Sequence, residues 1–173
     1  GGLSAVSDID FPMRGKVAVI TGAASGLGRE TALKLAKLGA RLWLVDYQQA
    51  GLEETAALVA ALDVGQSDGP NCHIQTADLS DAAACHAIIP AAIAAYGRLD
   101  ALCNVAGVLH MANTPTMPQE QWDRIIAVNL SAPFFLSQAA IPHLLETDGA
   151  IVNVASCAAF QGQAYTAAYG ASK

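Results

Sequence analysis

The chain has 173 residues, of which 53% are hydrophobic and 14% charged, and its 9 Lys and Arg stand against 15 Asp and Glu for a formal charge of -6. That length suits one domain around a single core, and the low charged fraction excludes an intrinsically disordered chain. The acidic balance, with no run of Lys and Arg, removes the electrostatic basis for a nucleic-acid partner.

Residues 1–14 read as an N-terminal extension whose first ten are small, polar and acidic, unlike a secretory leader, which favours a cytoplasmic location. In residues 15–173, apolar strand-like runs alternate with Ala- and Leu-rich helical patterns, the signature of stacked βαβ units. The spacing predicts strand Lys16–Thr21, helix Arg29–Leu38 ended by Gly39, strand Leu42–Asp46, helix Ala50–Leu62, a turn over Gly65–Asn71, strand His73–Thr76 and helix Asp81–Tyr96. Strand Ala101–Asn104, a long helix over Gln119–Leu145, strand Ala150–Ala155 and the start of another helix follow. Right-handed crossovers then give a Rossmann-type doubly wound α/β domain with a parallel sheet in the order 3-2-1-4-5, which takes ligands at the carboxyl edge.

Two stretches, Ile125–Leu145 and Gly149–Ser172, lack Asp, Glu, Lys and Arg and are long enough to raise a membrane span. The first contains Asn129, Pro133, Gln138, Pro142 and His143, and the second Asn153, Gln161 and Gln163, so both fit core or subunit-interface segments better and no membrane contact is expected. Cys72, Cys85, Cys103 and Cys157 are far apart and expected to be buried, reduced thiols, with Cys103 and Cys157 in strand-like runs. They form no ligand spacing with His73, His86, His110 or His143, so no metal is expected.

Thr21-Gly22-Ala23-Ala24-Ser25-Gly26-Leu27-Gly28 leaves a strand and opens a helix, the context of a phosphate-binding turn. Gly22 is expected to permit the turn, Gly26 to clear room for a pyrophosphate facing the helix N-terminus, and Gly28 to let helix and strand pack closely. Asp46 lies eighteen residues after Gly28 at a strand end, placed to accept both hydroxyls of an adenosine ribose and to repel a 2′-phosphate. No Arg or Lys stands at Ala24, Ser25 or Tyr47, so NAD is expected over NADP.

With the T-G-x-x-x-G-x-G turn, Asn104-Val105-Ala106-Gly107, Asn129, Ser156 and Tyr169-Gly-Ala-Ser-Lys173 in this order and spacing, the chain resembles a short-chain dehydrogenase/reductase over nearly its whole length. The resemblance implies NAD-dependent interconversion of a secondary alcohol and a ketone, with Tyr169 as proton donor and acceptor, Lys173 holding the nicotinamide ribose and Ser156 binding the substrate oxygen. The residue chemistry agrees: Tyr169 and Lys173 are i and i+4 on one helix face, so an ammonium lies beside the phenol and stabilises phenolate. It further implies cofactor contacts from Ser25, Leu27 and Tyr47, an adenine contact from Asp78 with Leu79 as apolar wall, and a ribose floor of Asn104, Ala106 and Gly107. The alternative reading of Asp78 is a cap for the next helix. Asn129 is implied in a water-mediated proton relay. Pro133, which has no amide for the Asn129 carbonyl, should kink the helix there.

Val105 replaces the second Asn of the family's N-N-A-G, and Ala155 replaces the Ser usually found before Ser156. The family continues beyond Lys173 through the rest of that helix, two strands and a substrate-covering loop, so 173 residues alone are expected to be inactive and weakly stable. Phe160, Gln163 and Tyr165, with Val108, Leu109 and His110, are candidate substrate-side residues for a small-molecule alcohol or carbonyl compound. Assembly as a helix-paired homodimer or homotetramer is implied. The rival readings are a non-catalytic dinucleotide-binding module and another Rossmann enzyme such as a methyltransferase, neither of which gives Ser156, Tyr169 and Lys173 a joint role.

Overall fold

The computed structural model describes residues 11–62 and 72–173. The Gly65–Asn71 turn and most of the N-terminal extension lie outside them. Strands β1 (Val17–Thr21), β2 (Arg41–Asp46), β3 (Cys72–Thr76), β4 (Ala101–Asn104) and β5 (Ala150–Asn153) form one parallel sheet in the order β3-β2-β1-β4-β5. The order is the one expected from right-handed crossovers. Helices α1 (Gly26–Lys37), α2 (Gln49–Ala60), α3 (Ala82–Tyr96), α4 (Gln119–Ile126), α5 (Ala132–Leu145) and α6 (Ala167–Ser172) complete the fold.

Helices on both faces explain why β1 is buried throughout rather than alternating. Val17 and Val19 join Trp43 and Val45 in the layer packed by α3 and α5, whereas Ala18 and Ile20 join Leu42 and Leu44 in the layer packed by α1 and α2. At the amino edge, the buried Asp100 carboxylate accepts the Val17 N–H at 2.8 Å and both prongs of the Arg98 guanidinium at 2.9 and 2.6 Å. Burial pushes the Asp100 carboxyl up, but Arg98 and the Val17 amide outweigh it and hold the group below its usual range. Nearby, Tyr96 O–H donates to the Leu42 carbonyl at 3.0 Å and its ring meets His73 and Trp43 edge-on, while the Trp43 indole donates to Gln75. Burial pushes the Tyr96 phenol up to about 12.

The long helix is not uniform. Between α4 and α5 the chain makes a wide π turn over Ala127–Ser131, centred on Asn129. Pro133 cannot donate to the Asn129 carbonyl and its ring crowds it, so the expected disturbance takes the form of a widened turn rather than a break. By length and composition alone Gln119–Leu145 is apolar enough to cross a membrane. In the fold Ile125, Val128, Ala132, Leu136, Ala140 and Leu144 are buried, and α5 packs against α3 and β4.

Other boundaries move by up to three residues, and the fifth strand ends at Asn153, two residues short of expectation. Cys85 and Cys103 are buried, but Cys72 is only partly so and Cys157 is exposed on a short 3-10 turn over Cys157–Ala159, not in a strand. Its apolar neighbours made it look interior, yet the strand has already ended. No group of three metal-ligating side chains gathers among the described residues.

Candidate cofactor and catalytic site

A cleft of about 310 Å³ opens at the carboxyl edge of the sheet, lined by the Gly-rich turn together with residues that follow β2, β3 and β4. Gly22 has φ +69°, and a Cβ on it would lie 2.9 Å from the Ala106 backbone. A Cβ on Gly28 would overlap the Gly22 carbonyl, so the helix start and strand end meet as closely as the spacing implied. At Gly26, φ +51° demands glycine while a Cβ would meet only open space, which makes a cradle for an anion before α1. Ser25 and Leu27 also line the cleft, Leu27 with an exposed side chain.

Asp46 stands where β2 ends, one oxygen accepting the Ala24 N–H at 3.1 Å and the other the Gln48 N–H at 3.0 Å. Each oxygen keeps a lone pair for a ligand hydroxyl. Tyr47 and Gln48 continue the wall. The nearby cation Arg29 is committed elsewhere: its guanidinium donates to Thr55 Oγ1, Gly51 O and Ala24 O and pairs with Glu54. Asp78 and Leu79 line the cleft after β3. Asp78 does not cap α3, because that position belongs to Asp81, whose carboxylate accepts the Ala83 N–H at 2.8 Å.

The floor is held by Thr21, whose buried hydroxyl accepts the Val105 and Ala106 amides, each at 3.1 Å. Ala106 and Gly107, named with Asn104 as a ribose floor, line the cleft, but Asn104 lies behind it. Asn104 instead donates to Asn153 at 2.9 Å and lines an adjoining cavity with Ala106, Asn129, Ser137 and Lys173. Asn129 grips Val108 twice, accepting its N–H at 2.8 Å and donating to its carbonyl at 2.9 Å, and also donates to Ser172 Oγ at 3.0 Å.

Lys173 Nζ donates to the Val154 carbonyl at 3.0 Å and lies 5.9 Å from the Tyr169 ring centroid. A Cβ on Gly107 would be 3.3 Å from that ammonium and 3.5 Å from Asn129 Oδ1. Lys173 and Asn129 thus meet Gly107 where the adjoining cavity abuts the cleft. Ser156 is not bonded to Tyr169; its Oγ accepts the Ala158 N–H at 3.2 Å and keeps its own proton to donate. Among the described residues no group hydrogen-bonds the Tyr169 hydroxyl. Tyr165, a candidate substrate-side residue, has φ +66°, and its carbonyl accepts the Ala112 N–H at 2.9 Å, tying the loop after β4 to the loop after β5.

The sequence profile of the short chain dehydrogenase family matches residues 16–173. The chain belongs to the short-chain dehydrogenase/reductase family. It is 42% identical to a D-threitol dehydrogenase of Mycolicibacterium smegmatis over 96% of the chain and 62% of that relative, and 34% identical to a 2-dehydro-3-deoxy-D-gluconate 5-dehydrogenase of Escherichia coli over 94% and 62%. It therefore spans about three fifths of the length of these curated relatives. Among solved structures, a metagenomic short-chain oxidoreductase in complex with NADP superposes with TM-score 0.84 at 38% identity, covering 93% of the chain and 71% of that structure.

Members of this family bind a nicotinamide dinucleotide, and the cradle at Gly26, the carboxylate at Asp46 and the Lys173 cluster fit one. The sequence reading missed Thr21, Arg29 and Arg124. Arg124, on α4, lines the cleft and donates to Asp78 Oδ2 at 3.2 Å. Only its place five residues before Asn129 marked it.

Proposed function

We propose that the full-length protein is an NAD-dependent oxidoreductase that interconverts a secondary alcohol and a ketone. The observation that carries this reading is the approach of Lys173 and Asn129, which line the adjoining cavity, to Gly107 in the wall of the cleft that also presents Asp46. Bound in that cleft, the nicotinamide dinucleotide supplies or accepts the hydride. Tyr169 gives or takes the alcohol proton at its phenol oxygen, and its unpartnered hydroxyl is available to the substrate. The Lys173 ammonium, 5.9 Å from the Tyr169 ring centroid, keeps donors for ribose hydroxyls. Ser156 donates to the substrate oxygen, and Asn129 holds Val108 against the site.

The NAD preference rests on this chain's own residues, since the structural relative in complex with NADP points to no preference. Asp46 faces the cleft, and Arg29, the neighbouring cation, is consumed by the contacts between α1 and α2. The likeness to a D-threitol dehydrogenase makes small polyols the substrate class to assay first. Exposed Leu130, Phe134, Ile141 and Leu145 on α5 and the π turn support pairing into a homodimer or homotetramer. Steady-state assays of the full-length protein with NAD or NADP and a panel of polyols, sugars and cyclic alcohols test the reading. Turnover with NAD is expected; equal or better turnover with NADP overturns the preference, and no turnover in either direction overturns the activity.

A further inference from the structure

We infer that Ser172 is a positioning residue for the proton-transfer step: its hydroxyl couples the Asn129 side chain to the backbone of Tyr169 and so fixes the helix turn that carries the phenol. The inference rests on the activity proposed above. Ser172, on α6, is 5% exposed. Its Oγ donates to the Tyr169 carbonyl at 2.8 Å and accepts an N–H from Asn129 Nδ2 at 3.0 Å. Asn129 Nδ2 also donates to the Val108 carbonyl at 2.9 Å, and Asn129 Oδ1 accepts the Val108 N–H at 2.8 Å. Val108 itself lines the cleft. A chain of hydrogen bonds therefore runs from the cleft wall through the π turn to the backbone of the residue that moves the proton.

A serine within a helix often bonds back to a carbonyl three or four residues earlier, and the bond to Tyr169 taken alone satisfies the hydroxyl locally. The bond from Asn129 is different in kind. It spans 43 positions and is buried, so it exists only in the packed fold. Both Asn129 amide protons are then used, and its side-chain amide is held in one orientation by three bonds. Removing the Ser172 hydroxyl takes a buried partner from Asn129 and from the Tyr169 carbonyl together, which loosens the grip on Val108 and frees the α6 turn to shift. Proton transfer is sensitive to such a shift, because the phenol oxygen has to stand within hydrogen-bond reach of the substrate oxygen.

The test compares Ser172→Ala, Ser172→Thr, Asn129→Ala and the double substitution Asn129→Ala with Ser172→Ala in the full-length protein, using NAD and the alcohol that it turns over best. Ser172→Ala should slow hydride transfer in a single turnover by about 3- to 10-fold, the effect of one hydrogen bond, with NAD affinity changed by less than about twofold. Ser172→Thr keeps the hydroxyl, its methyl has the adjoining cavity to enter, and its rate should lie within about twofold of the unsubstituted protein. In the Asn129→Ala background, Ser172→Ala should cost less than about twofold further, since the chain of bonds is already cut. Hydrogen exchange at the Val108 amide should quicken by about 3- to 10-fold in Ser172→Ala and not in Ser172→Thr. A lower amplitude at an unchanged rate would mean a merely structural role and overturn the inference, as would a full loss in the Asn129→Ala background or unchanged Val108 exchange in Ser172→Ala. No turnover by the unsubstituted protein overturns the proposed activity instead, and Val108 exchange then still decides whether Ser172 holds Asn129.

Discussion

Asp46 shows how much of a site one side chain can decide. Its two oxygens are aimed by the Ala24 and Gln48 amides, and among the described residues no uncommitted Arg or Lys lines its end of the cleft. Asp46→Ala should cost NAD roughly tenfold in affinity and leave NADP no weaker, since it removes a ribose contact and a like-charge repulsion together; paired titrations decide it. Tyr169→Phe should lower kcat by about 10²- to 10⁴-fold with NAD affinity nearly unchanged, whereas Lys173→Ala should damage both, as single-turnover and binding measurements would show. Thr21→Val keeps the shape but strands two amides of the β4 loop, for a loss of about 2 kcal/mol in denaturant unfolding. The glycines and Asp46 were legible in the sequence because a turn after a strand is a local event. Thr21, Arg29 and Arg124 were not, because each acts through a partner about 25 to 85 positions away that only the packed fold brings near.

At the scale of elements, the wide turn between α4 and α5 is the feature that a helical pattern alone blurs. Pro133 marked the place, but a proline can end, bend or widen a helix, and packing against the loop after β4 selects widening. The widened turn holds Asn129 where it can grip both backbone groups of Val108. Pro133→Ala makes an ordinary helix available, so the Val108 amide should exchange with solvent faster and kcat should fall several-fold. Hydrogen exchange at Val108 beside steady-state rates checks this; unchanged protection would show that packing alone maintains the turn. Cys157 teaches the converse lesson. Residues 150–158 are apolar almost throughout, yet the strand ends at Asn153, with a last bond from the Val154 N–H to the Asn104 carbonyl, and leaves the thiol outside.

For the molecule as a whole, the sheet order was legible because alternating strands and helices under a handedness rule leave few topologies. Its stability should narrow at both ends of the pH scale. The Asp100 carboxyl titrates lower folded than unfolded, so its contribution is complete above about 3.9 and disappears as pH falls through the lower folded value. Buried Tyr96 and half-buried Cys72 are each pushed up to about 12 by loss of solvation, so their neutral forms favour the fold below their unfolded values, and that advantage is lost as pH rises toward 12. Thermal melts of the full-length protein across pH should show both limbs, with Asp100→Asn flattening the acid one and Tyr96→Phe easing the alkaline one. The same aromatic cluster has an optical consequence. The chain has two tryptophans: Trp43 is buried at the amino side of the sheet with its indole bonded to Gln75, and Trp122 is 41% exposed on α4, two residues from Arg124. The first emits from a dry, fixed environment until the sheet comes apart, and the second from a wet one on the helix that borders the cleft, so a Trp122→Phe protein reports unfolding by its blue emission and a Trp43→Phe protein reports what arrives beside α4.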